Sequence, residues 1–394
     1  MLFTLLMELN NKLHLTAGSQ EMSTIWNIFY HYFIPLDDLQ KLQEHAAQLA
    51  EASKSVETWI ASPHGARLSF FSTSTLSKMR TLWLDYAGTR LLNGRSQTNF
   101  RSQMKHEIAR GAREGFGGRM SLGALRGAGA QLMNAMLPIM LSPSRFRETG
   151  VVGGNRKDMS LLGNKGLGYV NPTFYFTSLS KEVCNFHHNT NPLDGFHLSP
   201  AFEAGKSPDL AIEDAVAVAK SQFCEWCDAF IQATKEHRLR IILHVGDALH
   251  LCHMIQKQGS ENLNNDWNLP LFLGPWTSAP LAFDGPAKLK GSTRFDVIDT
   301  SNLADYYGNL NIIPIAEQLL KRSTTSVLYT ETLIYQLKNR HQSLNVDLCL
   351  INPTMSLITG LSPSGTFQDL QYSSNMVEQV ALRARHNHCR TRVS

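Results

Sequence analysis

Short apolar runs that end in polar residues recur in the second half of the chain, and they predict buried strands. One run is residues 239–245 (LRIILHV) and another is residues 295–298 (FDVI). Gly246 and Asp247 follow the first run, Asp299 follows the second, and each is succeeded by apolar residues at helical spacing. A strand, a polar turn and a helix make half of a βαβ unit. The pattern therefore predicts an α/β core with a Rossmann-like sheet.

The polar residues after these runs are candidates for a ligand site. In open α/β sheets, ligands bind beyond the carboxyl ends of the strands, and ionised carboxylates there accept hydrogen bonds from ribose hydroxyls or amines. We expect Gly246 and Asp247 to contact a cofactor. The candidate catalytic residues, which would face a substrate, are Asp299, Asn302 and Asp305.

Earlier in the chain the apolar spacing predicts helices. Residues 22–60 have helical periodicity that Pro35 interrupts, and the clearest amphipathic helix covers residues 211–234. The predicted organisation is a helical region with basic, glycine-rich loops over residues 1–170, an α/β Rossmann-like core over residues 171–352 and a C-terminal tail over residues 353–394, whose basic end from residue 381 is expected to be frayed.

Composition narrows the class of protein. The chain has 394 residues, of which 43% are hydrophobic and 18% charged, and these values are typical of a globular protein. It contains no apolar run long enough for a membrane span, and its first residues lack the basic segment of a signal peptide. The six scattered cysteines indicate a reducing compartment, so a cytoplasmic location is expected.

A basic stretch over residues 90–126 has two interpretations. It is rich in arginine and glycine and contains few aromatic residues. One interpretation is an arm that binds the phosphates of a nucleotide or of RNA. The other is a solvated helix that ends in a glycine-rich loop. Because the stretch lacks the aromatic residues that stack on single strands, nucleic-acid binding is the less favoured of the two.

Cysteine and histidine residues cluster in two places without predicting a metal site. His187 and His188 lie close to Cys184, but the spacing matches no standard zinc site, and a loop held by side-chain hydrogen bonds is favoured. Cys224 and Cys227 form a Cys-x-x-Cys motif in the middle of a predicted helix. A redox pair belongs at the start of a helix, so these two cysteines are expected in the core.

Several segments, taken in order, resemble a group of fungal proteins. Members of this group share an N-terminal domain with the axonemal dynein assembly factors, and some also carry a MYND-type zinc finger. The similarity covers about residues 22–340. The matching segments are residues 25–35 (IWNIFYHYFIP), 171–174 (NPTF), 187–192 (HHNTNP), 220–227 (KSQFCEWC), 246–249 (GDAL), 295–305 (FDVIDTSNLAD) and 327–333 (VLYTETL).

The resemblance implies a fold similar to that of S-adenosylmethionine-dependent methyltransferases. Members of the group begin with an apolar strand and a Gly-Cys-Gly-Asp turn, which would hold a nucleotide-like cofactor. This sequence has no counterpart of that turn and no MYND finger, so the expected sheet is incomplete and the first strands are missing. The group supplies no catalytic residues that could be assigned here.

Three functions follow from these observations. The leading hypothesis is a non-catalytic interaction or assembly scaffold that binds a protein partner and is built on a degenerate Rossmann-like core. The first alternative is a methyltransferase-like enzyme that uses S-adenosylmethionine. The second is an RNA-binding protein that uses the basic stretch of residues 90–126.

Overall fold

A computed structural model describes most of the chain. The described residues are 2–13, 20–88, 98–99, 101–103, 106, 122–153, 168–178, 181–184, 192–258, 294–301, 303–332, 361 and 389–393. Over these residues the protein is mixed α/β and mostly helical, with small sheets of two or three strands. The larger Rossmann-like sheet stays a prediction. The chain forms two compact units, residues 1–243 and 244–394. The domain ranges expected from the sequence stay predictions as well.

Unit 1 (residues 1–243) is built mainly from helices. The helices are α1 (Leu2–Leu13), α2 (Gln20–Tyr30), α3 (Leu36–Ala52), α4 (Val56–Ala61), α5 (Thr73–Ala87), α6 (Leu122–Ala128), α7 (Leu132–Thr149) and α8 (Pro208–Lys235). The short strands are β1 (Phe33–Ile34), β2 (Leu68–Phe70), β3 (Tyr169–Val170), β4 (Tyr175–Ser178), β5 (Lys181–Cys184) and β6 (Ile241–Leu243).

Local sequence signals explain where these helices begin and end. The hydroxyl of Ser72 accepts a hydrogen bond from the backbone N–H of Thr75 at 3.1 Å and so caps α5. Ser207 caps α8 in the same way, and Pro208 takes the first helical position, where a missing N–H costs nothing. α7 ends at Gly150, whose φ of +76° is a left-handed conformation that glycine adopts without strain.

One part of the unit 1 core lies where α3, α4 and α5 meet the parallel pair formed by β2 and β6. Trp59 and Trp83 stack there with ring centroids 5.5 Å apart, and both are buried. The indole N–H of Trp59 donates to the carbonyl oxygen of Leu68 at 2.9 Å, which ties the core to β2. The sequence did not predict β2, because three residues are too few to show a strand period.

Hydrogen bonds from Asn171 hold the C-terminal end of α2 in unit 1. The side-chain amide of Asn171 donates to the carbonyl oxygens of Ile28 and His31, both at 2.8 Å. Its backbone N–H donates to the carbonyl oxygen of Tyr32 at 2.9 Å, beside the antiparallel pair of β1 and β3. The last carbonyls of a helix have no partner within the helix, so Asn171 supplies the donors that this buried end requires.

The described residues of unit 2 (residues 244–394) form three helices and one three-stranded sheet. The helices are α9 (Ala248–Gln258), α10 (Ala304–Tyr307) and α11 (Asn309–Leu319). β7 (Val297–Asp299) runs parallel to β8 (Val327–Thr332), and β9 (Cys389–Val393) pairs antiparallel with β8. Leu328 is fully buried and packs with Ile313 and Ala316 of α11.

Two expectations need correction. The runs at residues 239–245 and 295–298 were expected in one α/β core, but within the described part of the chain they lie in different sheets: β6 pairs with β2, and β7 pairs with β8. The apolar side chains of β6 pack against the tryptophan core of unit 1, which the local sequence around residue 241 does not reveal. The tail was expected to be frayed, but residues 389–393 form β9. The edge of β8 offers unpaired backbone groups, and β9 satisfies them.

Replacement of Asn171 tests whether its hydrogen bonds stabilise the end of α2. Asn171→Ala should lower the free energy of unfolding by roughly 1 to 3 kcal/mol, because the carbonyl oxygen of His31 loses its donor and that of Ile28 keeps only the hydroxyl of Thr173. Urea unfolding measures the change. Gln232→Ala, at an exposed position of α8, is the matched control and should change it by less than about 0.5 kcal/mol. Equal small losses in both variants would show that Asn171 does not hold α2.

Candidate functional site

Asp247 lies immediately before α9 in unit 2, and both of its carboxylate oxygens accept hydrogen bonds. Oδ1 accepts from the backbone N–H of His250 at 2.8 Å, which is the geometry of a helix N-cap. Oδ2 accepts from the hydroxyl of Tyr307 at 2.8 Å. Tyr307 is the last residue of α10, so the carboxylate joins the start of one helix to the end of another.

The hydrogen bond to Asp247 changes the acidity of Tyr307. The carboxylate accepts a hydrogen bond from the phenolic hydroxyl and repels the negative charge of a phenolate, and both effects raise the pKa of Tyr307 above its ordinary value. Tyr307 therefore stays protonated at neutral pH and acts as a donor. The sequence pattern predicted Asp247 at the candidate site but not Tyr307. Tyr307 lies two residues beyond the candidate Asp305 and directly before Gly308, and this position is the local signal for it.

Gly246 does not form a left-handed turn. A Cβ atom built at this position would lie 2.4 Å from the imidazole Nε2 of His244, so a side chain here would displace that ring. The glycine therefore makes room for His244. Glycine turns that bind phosphates instead expose successive backbone N–H groups toward the ligand.

Asp299 ends β7, at the carboxyl end of a strand that runs parallel to β8, as a ligand site of an α/β sheet requires. Its Oδ1 accepts a hydrogen bond from the backbone N–H of Ser301 at 2.9 Å. Ser301 has a φ of +48°, which is uncommon for a residue with a side chain, and the bond from Asp299 stabilises that conformation.

The helices that follow bring only some of the candidate residues together. Leu249 of α9, Ala304 of α10 and Ile312 of α11 form one apolar cluster, which places Asp247 next to α10. Asp305 lies in the first turn of α10, two residues before Tyr307. Asn302 lies outside the described residues, and so do His187 and His188.

A second polar cluster joins α1 to α3 in unit 1. The imidazole Nδ1 of His45 lies 2.5 Å from a carboxylate oxygen of Glu8, and its Nε2 lies 2.7 Å from the hydroxyl of Thr4. His45 is buried, and burial lowers its pKa to about 4, although Glu8 acts in the opposite direction. His64, whose ring centroid is 5.8 Å from that of His45, also lowers the pKa.

The hydroxyl of Thr4, the imidazole of His45 and the carboxylate of Glu8 are arranged in the order of a catalytic triad, but the hydroxyl is buried. Thr4 has only 1% of its surface exposed, so a substrate cannot reach its hydroxyl. A nucleophile must lie within reach of the atom that it attacks. The cluster therefore fastens α1 onto α3.

The cysteines of the Cys-x-x-Cys motif are buried in the middle of α8, as expected from the sequence. Burial raises the pKa of Cys227 to about 12, so the reactive thiolate is disfavoured. Across the described ranges, the side chains form no group of three or more histidine, cysteine, aspartate or glutamate residues placed to hold a metal ion.

The basic stretch of residues 90–126 is described only in part. The guanidinium of Arg101 lies 4.3 Å from the centroid of the Phe33 ring and donates to the carbonyl oxygen of Gly168. Burial lowers the pKa of Arg101. This arginine thus takes part in the packing of unit 1.

Comparison of the chain with models of known protein families, with curated proteins and with solved structures found no match. None of the described helices combines the length and apolar character needed to cross a membrane.

A double-mutant cycle tests the link between Asp247 and Tyr307. Asp247→Ala should lower the free energy of unfolding by about 1 to 2 kcal/mol, because α9 loses its cap. Tyr307→Phe should cost less than about 1 kcal/mol, since the hydroxyl is partly exposed. Chemical denaturation of the two single variants and the double variant gives the coupling. Fully additive losses would contradict a direct hydrogen bond.

The pKa of His45 predicts a pH dependence of stability. The folded pKa of about 4 is below the ordinary 6.5, so the fold favours neutral His45. Its contribution is complete above about pH 6.5 and is lost as the pH falls toward 4, by on the order of 2 kcal/mol at pH 5. Urea unfolding at pH 7 and pH 5 measures the loss.

His31 and His64 also have lowered pKa values, so the comparison needs a variant that removes His45 alone. His45→Gln should be less stable than the wild type at pH 7 and should lose less further stability at pH 5. An identical loss in the two proteins would show that His45 does not titrate in this range.

Proposed function

We propose that this protein is a non-catalytic interaction or assembly protein built on a degenerate Rossmann-like core. The observation that carries the proposal is an exposed apolar stripe on α7 of unit 1. Met133, Leu137 and Met140 are 79%, 51% and 36% exposed. They follow each other at spacings of four and three residues, so they share one face of the helix.

The surroundings of this stripe favour binding to a protein. No charged residue occurs between Gln131 and Ser144, so this length of α7 lacks the charges of an ordinary solvated helix. Contiguous exposed apolar residues mark interaction sites, and flexible methionine side chains adapt to the surface that covers them. An amphipathic helix of a partner would fit such a face.

The polar residues of unit 2 support the same conclusion. Asp247 uses both carboxylate oxygens to hold α9 and Tyr307, and Asp299 holds the turn at Ser301. The bonds to His250 and Ser301 are local, the bond from Tyr307 spans 60 positions, and each of them stabilises the fold. The sequence resemblance to a group related to dynein assembly factors also favours a role in assembly over a role in catalysis.

A methyltransferase-like enzyme remains the second candidate, and one observation favours it. Asp299 lies at the carboxyl end of a strand in a parallel pair, where α/β enzymes bind ligands. In that case Gly246 and Asp247 would contact S-adenosylmethionine, and Asp299, Asn302 and Asp305 would face the substrate.

The RNA-binding hypothesis has less support, because Arg101 of the basic stretch packs on Phe33. The cytoplasmic location remains an expectation.

Isolation of the tagged full-length chain from its native cells tests the proposed function. Size-exclusion chromatography should show a stoichiometric complex. Leu137→Glu should abolish that complex without changing the melting temperature, because it puts a charge into the apolar interface. Ile60→Glu is the matched control, since Ile60 is an isolated exposed apolar residue on α4. A monomeric wild type, or a complex that survives Leu137→Glu, would contradict the proposal.

A further inference from the structure

The stripe on α7 contains the most accessible methionines in the described part of the chain. Met133 is 79% exposed and Met140 is 36% exposed, whereas Met7, Met22 and Met254 are 3%, 2% and 5% exposed. Methionine is among the residue types most often fully buried, so two exposed methionines on one helix face are unusual. This exposure puts their thioether groups within reach of small molecules in solution.

Other residues of α7 hold this helix on unit 1. Ala135 and Ile139 are buried, and the side-chain amide of Asn134 donates to the carbonyl oxygen of Phe202 at 3.2 Å. The exposed Met133 adds little to this packing. A chemical change of its side chain should therefore alter the surface of α7 and leave the fold intact.

Cysteines would compete with these methionines for an oxidant, but the cysteine side chains that the structure describes are protected. Cys224 and Cys227 are buried in α8, and Cys252 is half-buried in α9. Burial raises the pKa of Cys227 to about 12 and also raises the pKa of Cys252, so both remain thiols at neutral pH. Peroxides react with exposed thiolates rather than with buried thiols. Among the described sulfur-containing side chains, those of the stripe are therefore the most open to oxidation.

A hydroperoxide oxidises a thioether by transferring one oxygen atom. With hydrogen peroxide, a lone pair of the sulfur forms the S–O bond while the O–O bond breaks, so the sulfur loses two electrons and the peroxide gains them. The hydroxide that leaves takes the proton from the sulfur-bound oxygen and becomes water. The product, methionine sulfoxide, is polar, and methionine sulfoxide reductases convert it back to methionine.

Oxidation would change the stripe from apolar to largely polar. With sulfoxides at Met133 and Met140, Leu137 would be the one apolar side chain left of the three. A partner that covers the apolar stripe would then have to bury two polar groups, and burying a polar group without a hydrogen-bond partner costs free energy. The oxidised stripe should therefore bind such a partner less tightly than the reduced stripe.

We propose that Met133 and Met140 form a reversible oxidation site, and that a hydroperoxide releases the partner of the stripe by oxidising them. This inference rests on the proposed role as an interaction protein and adds a means of regulating it. The site is defined by its accessible thioethers, and the fold is expected to survive their oxidation.

Peptide mass spectrometry of the full-length chain after brief treatment with hydrogen peroxide tests the site. Sulfoxide should form first at Met133 and next at Met140, ahead of the half-buried Met136 on the same helix and of the buried Met254. The melting temperature should not change. Oxidation of Met254 as fast as that of Met133 would overturn the inference, because the rates would then not follow exposure.

Reconstitution of the native complex tests the regulation. The tagged chain is oxidised, freed of peroxide with catalase, mixed with extract of its native cells and examined by size-exclusion chromatography. Oxidation should weaken the complex at least about tenfold, and prior treatment with methionine sulfoxide reductases should restore it. The double variant Met133→Leu/Met140→Leu stays apolar and has no thioether at these positions, so its complex should resist oxidation.

Met136→Leu is the matched control on the same helix, and its complex should stay as sensitive to peroxide as that of the wild type. Equal sensitivity of the wild type and the double variant would show that another site is responsible. If the untreated chain forms no complex that depends on Leu137, the proposed function fails and this inference fails with it. If that complex forms and survives oxidation of Met133 and Met140, only this inference fails.

Discussion

Backbone groups at helix ends must find partners when the ends are buried, and this requirement determines how the polar residues of the protein are used. The carbonyls at the end of α2 are reached by Asn171, which lies about 140 residues further along the chain. Without that amide, the carbonyl oxygen of His31 would lose its donor, and that of Ile28 would keep only the hydroxyl of Thr173 at 3.3 Å. The N–H groups at the start of α9 are satisfied in the same way by Asp247.

The same requirement bears on function. A carboxylate that follows an apolar run can bind a ligand or cap a helix, and the two roles have the same local sequence. In unit 2 the hydrogen bonds of Asp247 and Asp299 are made with groups of the chain itself, and they shape the fold. In unit 1 the buried cluster around His45 has triad-like order and yet serves to hold α1. The described surface of α7 includes the exposed apolar stripe of Met133, Leu137 and Met140, and the proposed role in partner binding rests on this stripe.

The helices could be predicted from the sequence, because their signals are local. Pro35 marks the break between α2 and α3, and the apolar stripe and the Ser207 cap of α8 are visible in the residues themselves. The strands could not be predicted equally well. β2 has three residues, and its partner β6 lies more than 170 positions further along the chain, so only tertiary packing shows that they pair. β9 was missed for the same reason.

The candidate site was predictable in part. The position of Asp299 at a strand end and that of Asp247 before a helix follow from local patterns. The hydrogen bond between Asp247 and Tyr307 joins residues 60 positions apart, and the His45 cluster joins α1 to α3, so neither has a local signal. Asn302 lies outside the described residues, and its predicted role stays a prediction.

Calorimetric titration of the full-length chain with S-adenosylmethionine and S-adenosylhomocysteine tests most directly whether the carboxylates of unit 2 are structural. If Asp247 and Asp299 serve only to hold helices and turns, neither compound should produce binding heat. Saturable binding in the micromolar range that Asp299→Asn abolishes, with the melting temperature of the free protein unchanged, would contradict the structural role and establish a cofactor site.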